Sequence, residues 1–236
     1  MFTESADLYD AIYFTFKDYP AEARDIAARV RAEHPGARTI LDVACGTGEH
    51  ARLLAREYGF AVDGVDLNPE FVRLAGLKHP AGRFEVADMT DMALGRLYDA
   101  VICMFSSIGY VRTIPALEKT LEGFRRHLGP GGVIIVEPWF PPEAMTPGQH
   151  SVRTAESGAI RVERRGTIEV EGRMCLLRFD YRIEERGTVR DATELHELGL
   201  FTEAETLRTF ASAGLEVRHE APAARNRGLY IARAKR

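Results

Sequence analysis

The sequence predicts an α/β fold, a doubly wound parallel sheet carrying an inserted antiparallel β layer, and two observations predict it. Buried-type strands alternate with amphipathic helices along the first 140 residues, the pattern of a sheet with helices on both faces. After Pro138 the chain changes to segments in which polar and apolar residues alternate, the mark of antiparallel strands with one wet face.

Taken in order, an amphipathic helix covers 20–33, and the aliphatic run 39–43 (Thr-Ile-Leu-Asp-Val) is a first buried strand ending in a glycine turn. A helix over 50–58 and a short strand over 61–66 follow. Asn68-Pro69 then reads as an N-cap with proline at the first helical position, opening a helix that runs to about His79. Strands over 83–86 and 100–104 come next, then a helix over 115–127 stopped by Gly129-Pro130-Gly131-Gly132, then a fifth strand over 133–136. The Pro-rich stretch from Pro138 leads into alternating segments over 160–170 and 174–183. A helix over 203–213 and strands over 215–218 and 229–232 return the chain to the sheet. A chain of 236 residues with this order is expected to form one domain over 1–236, the β layer at 140–200 being inserted within it.

Composition narrows the class. With 45% hydrophobic and 28% charged residues the chain reads as globular, and it contains no apolar run of membrane-spanning length. The acidic start, MFTESADLYD, lacks the order of a secretory signal, so the cytoplasm is the expected compartment. A net charge of −4 argues against nucleic acid as a partner. Cys45, Cys103 and Cys175 are scattered and read as small packing residues, and the seven histidines show no metal-binding spacing, so no metal is expected.

The strongest chemical signal is LDVACGTG at 41–48, where a strand breaks into a Gly-x-Gly turn and runs straight into a helix. Glycine is needed there because the backbone must turn sharply and let a ligand approach with no Cβ in the way. Asp66 ends the second strand, where an acidic side chain accepts hydrogen bonds from ribose hydroxyls in a Rossmann-like sheet, and Asp88 ends the third. A dinucleotide and S-adenosylmethionine both fit such a turn. Charge separates them: a pyrophosphate would be repelled by Asp42 and Asp88, whereas a sulfonium with an ammonium group would be attracted by the acidic trio of Asp42, Asp66 and Asp88.

Together with ADM at 87–89, MFSSIGY at 104–110, LGPGGVIIVEPW at 128–139 and RGLY at 227–230, these motifs resemble the sugar N-methyltransferases that act on dTDP-linked aminosugars in macrolide pathways. The resemblance runs almost end to end. LDVACGTG is common to many methyltransferases, while MFSSIGY, VEPW and RGLY are narrower. Two stretches depart from the family: FTFKDY stands where relatives carry GxGKDY, and Phe140-Pro141-Pro142-Glu143 follows VEPW where they carry WFPE.

The resemblance implies S-adenosylmethionine as cofactor, a sugar nucleotide as the small-molecule partner, and specific roles. Tyr9 and Tyr19 would close over the cofactor, Ala44 and Gly46 with Gly48 would shape the turn at its methionine end, and Asp66 would hold the ribose. Asp88 and Met89 would flank the adenine, and Met104 would touch the cofactor from the fourth strand. Glu137, Trp139 and Arg227 would face the acceptor, the last as a planar partner for its diphosphate, a role for which Arg225 is the neighbouring alternative. Tyr110 and, from the inserted layer, His196 are the candidates for contact with the nucleophilic amine. The expected reaction is in-line displacement on an activated methyl, which asks the protein to align reactants and exclude water. An NAD-dependent oxidoreductase and a non-catalytic nucleotide-binding module are the rival readings, and a homodimer is left open.

Overall fold

The computed structural model describes residues 8–158, 160–221 and 227–235. Seven strands form one sheet in the order β10-β11-β5-β4-β1-β2-β3. Its strands are β1 (Thr39–Val43), β2 (Ala61–Asp66), β3 (Phe84–Val86), β4 (Tyr98–Cys103), β5 (Leu128–Val136), β10 (Leu215–Glu220) and β11 (Leu229–Ala234). β1 to β5 are parallel, β11 runs antiparallel to β5, and β10 pairs antiparallel with β11. The chain winds outward from β1 to β3, then crosses to β4 on the other side of β1. Such a reversal opens a crevice at the carboxyl ends of β1 and β4, the place where ligands bind in open α/β sheets.

Alternation along each buried strand divides the core into two layers. Ile40, Ile102 and Ile135 point to the face covered by α2 (Tyr19–Glu33) and α3 (Glu49–Tyr58). Leu41, Val101 and Ile134 point to the opposite face, under α5 (Ile114–Arg126) and α6 (Glu203–Ser212). Local chemistry sets the helix starts. Asn68 caps α4 (Pro69–Lys78) by accepting from the Glu70 N–H at 2.9 Å, with Pro69 in the first turn. Thr202 and Glu205 close a reciprocal capping box on α6.

The inserted layer is a four-stranded antiparallel sheet, β6-β7-β8-β9, spanning His150–Ser157, Ile160–Glu171, Met174–Glu185 and Thr188–Gly199. It lies inside the expected 140–200 insertion, with two strands more than the alternating segments 160–170 and 174–183 foretold. β8 and β9 are joined through Arg186 and Gly187, both with positive φ, as a tight two-residue hairpin requires. A short helix α1 (Tyr9–Tyr13) precedes α2 and was not expected. The fifth strand starts at Leu128, not 133: pairing jumps from Leu128 opposite Tyr98 to Val133 opposite Ala100, so the glycine-rich stretch bulges out of the strand. All three cysteines are free and buried. Among the described residues no helix is long and apolar enough to cross a membrane, and no His/Cys/Asp/Glu group could hold a metal.

Candidate active site

At the end of β1 the backbone turns through three left-handed residues, Ala44, Gly46 and Gly48, with φ of 56°, 55° and 77°. The turn is pinned from β2: the Asp66 carboxylate accepts from the Gly46 N–H and, through its other oxygen, from the Asn68 N–H, both at 2.9 Å. A Cβ built on Gly46 meets nothing within 4 Å, because it points into open space. One on Gly48 would lie 2.7 Å from the Ala75 Cβ. Gly48 therefore lets α3 and α4 approach each other and is not among the residues that line the crevice. Asp88, just past β3, accepts from the Thr90 N–H and hydroxyl, both at 2.8 Å.

Past β4, Phe105 and Ser106 are consecutive left-handed residues, a strained arrangement that surrounding bonds must impose. Glu137 imposes it, accepting from the Phe105 N–H at 2.7 Å, while the Ser106 hydroxyl donates to the Pro138 carbonyl at 2.5 Å. The resulting turn runs into a 3-10 segment, Ser107–Val111, that carries Tyr110.

These elements surround a cavity of about 670 Å³. Of the cofactor residues expected, Tyr9, Ala44, Gly46, Asp66, Asp88 and Met89 line it, and so do Tyr110, Trp139 and Arg227. The other six do not. Tyr19 is packed edge-on against Phe14 and His50, Met104 lies in the core, and Gly48 is behind the turn. Glu137 bonds the Phe105 backbone and faces Arg227 at 3.4 Å instead of opening to the acceptor. Asp42 is buried at the carboxyl half of β1, one carboxylate oxygen having no hydrogen-bond partner among the described residues. His196 stands behind Tyr110, its Nδ1 2.8 Å from the phenol oxygen. Arg225 lies outside the described residues.

The electrostatics follow from burial. Asp42 is pushed up to about 7 by desolvation, helped by Asp66 and opposed by His50 and Lys17. Burial also raises Asp66, opposed by the backbone N–H groups it accepts. The Tyr110 phenol is raised and the His196 imidazole lowered, both chiefly by burial, so the pair is neutral. Glu194 lies 3.7 Å from His196 Nε2 and accepts from the Tyr181 hydroxyl at 2.9 Å. We assign the imidazole proton to Nε2, facing that carboxylate, which leaves Nδ1 to accept from Tyr110.

The lining also includes residues that the sequence reading passed over, among them Tyr13, Phe105, Phe179 and Arg164. The signal for Arg164 was present: it falls in phase with Val162 and Ile168 in the alternation that located β7, and a charge in phase with inward side chains marks an unusual environment.

The cradle fits S-adenosylmethionine. Gly46 lines the cavity and a Cβ there would meet nothing within 4 Å, and a buried carboxylate oxygen of Asp42 at the same end of β1 has no hydrogen-bond partner among the described residues, an arrangement that favours a cationic ligand. The sheet order, the turn and the acidic strand ends together define an S-adenosylmethionine-dependent methyltransferase. Residues 40–132 match the methyltransferase-domain family. The chain is 40% identical over 230 residues, 96% of its length and 89% of the relative's, to a dTDP-3-amino-3,6-dideoxy-α-D-glucopyranose N,N-dimethyltransferase of Streptomyces fradiae. It superposes on the crystal structure of Streptomyces venezuelae DesVI with a TM-score of 0.92 at 36% identity, covering 99% of this chain and 100% of that one. The S-adenosylmethionine-bound structure of CalS10, an amino pentose methyltransferase of Micromonospora echinaspora, matches with a TM-score of 0.86 at 31% identity over 95% of each chain. The chain belongs to the S-adenosylmethionine-dependent methyltransferases, in the group that contains the dTDP-aminosugar N,N-dimethyltransferases.

Proposed function

We propose that the protein methylates the amine of a nucleotide-linked aminosugar, a dTDP-sugar above all, within antibiotic biosynthesis in the cytoplasm. The observation that carries this reading is the lining of the cavity. One half is built from the ends of β1 to β3 and suits the cofactor, and the other, between Trp139, Arg227 and the inserted sheet, leaves room for an extended acceptor. The chain is read as one unit, 1–236, because the acceptor half needs walls from both sheets.

Bound S-adenosylmethionine supplies an activated methyl, so the residues have to bind, align and exclude water. Asp66 is positioned to take the ribose hydroxyls with the lone pairs its backbone partners leave free, and Asp88 and Met89 to flank the base. Ala44 and Gly46 would leave room for the methionine end, and Tyr9, packed with Tyr13 and Phe71, would cover it from α1. Asp42, buried near the end of β1, would favour the cofactor's positive charge electrostatically. Tyr110, held by His196, orients the uncharged amine for in-line attack; its raised phenol is too weak an acid to act as the neutral-pH base. Trp139 walls the sugar, and Arg227 offers a donor to a phosphate oxygen.

Incubation with S-adenosylmethionine and a panel of nucleotide-linked aminosugars, read by mass spectrometry, tests the proposal. A gain of one or two methyl groups on a dTDP-aminosugar is expected. Methylation of the free aminosugar at equal efficiency, with no preference for the nucleotide, would overturn the acceptor assignment.

A further inference from the structure

Phe16 stands in the connector between α1 and α2, within FTFKDY, and the backbone on both sides of it is anchored. The N–H groups of Phe16 and Lys17 both donate to the Tyr13 carbonyl, at 3.2 Å and 2.9 Å, so the chain keeps turning past the end of α1. Lys17 is pinned in its turn. Its ammonium donates to Glu22 at 2.7 Å and lies 3.7 Å over the Phe105 ring. The Phe16 ring packs on Tyr13 with 5.2 Å between centroids.

Despite these anchors Phe16 is 39% exposed, and it lines the cavity. Two guanidiniums of the inserted sheet lie over its ring, Arg153 of the edge strand β6 at 5.1 Å and Arg164 of β7 at 5.7 Å. Arg153 and Arg164 are direct partners across the β6–β7 ladder, so the ring is held against one place on that sheet. A fixed aromatic ring left half open to water where a cavity meets solvent is surface that an entering ligand covers. The ligand's chemistry follows from its length. An acceptor whose amine lies against Tyr110, beside the buried His196, must leave its distal end where the cavity opens. In a nucleotide-linked sugar that distal end is a flat, unsaturated base, and the charged diphosphate between has no apolar face to lay on a phenyl ring.

We propose that Phe16 stacks the base of the nucleotide-linked acceptor and is a specificity-determining residue of this chain. This rests on the sugar-nucleotide reading above. Stacking on an aromatic ring needs no hydrogen-bond pattern and works at a half-exposed site, because both surfaces lose water on contact. The guanidiniums and Tyr13 already hold the ring, so little side-chain freedom is lost when the base arrives. The relatives that this chain resembles carry glycine before the lysine of GxGKDY, and a glycine has no ring to offer. The platform therefore belongs to this chain and not to that motif.

Calorimetric titration of dTDP, thymidine and inorganic pyrophosphate into protein saturated with S-adenosylhomocysteine tests this on wild type, Phe16→Gly and Phe16→Tyr. Wild type is expected to bind dTDP more tightly than pyrophosphate. Phe16→Gly is expected to weaken dTDP and thymidine about tenfold while pyrophosphate and S-adenosylhomocysteine stay within about twofold of wild type. Phe16→Tyr, which keeps the ring, is expected to stay within about twofold for every ligand. Retained S-adenosylhomocysteine affinity shows that the Gly variant is folded. A wild type that binds neither dTDP nor thymidine overturns the sugar-nucleotide reading. Wild-type binding of dTDP that survives undiminished in Phe16→Gly overturns the role of Phe16 alone. Equal losses of dTDP and pyrophosphate in that variant also overturn it, leaving the ring a brace for Tyr13 and Arg164.

Discussion

Under the proposed function, Asp42 serves a ligand whose cavity it does not line. It is buried, one oxygen lacks a partner among the described residues, and burial pushes its pKa up to about 7. Because the fold favours the neutral acid, stability without ligand is fully present below the usual carboxylate range and falls as pH rises towards about 7, by up to about 4 kcal/mol. A cation in the cofactor half favours the ionised form. S-adenosylmethionine binding should therefore release a proton at pH values below about 7 and tighten as pH rises through that value. Calorimetry in buffers of different ionisation heat measures the release, and Asp42→Asn should abolish it; a wild type that releases none contradicts the account. Asp66 acts more directly. Asp66→Ala should weaken cofactor binding by about 1.5–3 kcal/mol, the range for hydrogen bonds to charged groups, and part of the loss will come from the unpinned Gly46 N–H. Unchanged affinity in a titration would remove Asp66 from the ribose.

At the scale of elements, the two glycines of the turn separate by what a side chain would meet. Gly46→Val should abolish cofactor binding with modest effect on the fold, since its Cβ enters open space, although a β-branched residue at φ 55° adds strain. Gly48→Ala should do the reverse. Its Cβ meets Ala75 at 2.7 Å, so α3 and α4 must part, and a loss of about 1–3 kcal/mol in stability is expected. Thermal melts and cofactor titrations on both variants distinguish the two, and identical behaviour would mean that the turn responds as a unit. The Phe105–Ser106 turn after β4 depends on the neighbouring strand, because the carboxylate that holds it follows β5.

For the whole molecule, the acceptor half exists because two sheets meet there. Tyr110 comes from the segment after β4 and His196 from β9, and their 2.8 Å bond spans the junction. Tyr110→Phe and His196→Ala should each lower kcat by about tenfold, the worth of one orienting hydrogen bond, with cofactor affinity unchanged. If the pair acts as one unit, the double variant should lose little more than either single one. Full additivity would show that His196 serves some other purpose. Loss of cofactor affinity in either would point to a general repacking of the cavity.

The residues that carry local signals were legible without a structure: the β1 turn, the Asn68 cap, the acidic ends of β2 and β3, and the alternation of β7 and β8 each depend on neighbours in sequence. β9 was not. Its inward positions include Glu194 and His196, so the polar–apolar alternation that exposes a strand is missing where the strand serves the site. The same separation runs through the site. Sequence alone determined which residues turn beneath the cofactor, because backbone sterics at a glycine and a capping carboxylate act over a few residues. Only the tertiary structure decided that Gly48 packs helices, that Glu137 holds the Phe105 turn, that His196 stands behind Tyr110, and that Arg164 lines the cavity with a hydrogen bond to Tyr13. Those outcomes depend on burial and on partners 27 (Gly48 to Ala75) to 151 positions away, and local pattern identifies none of those partners.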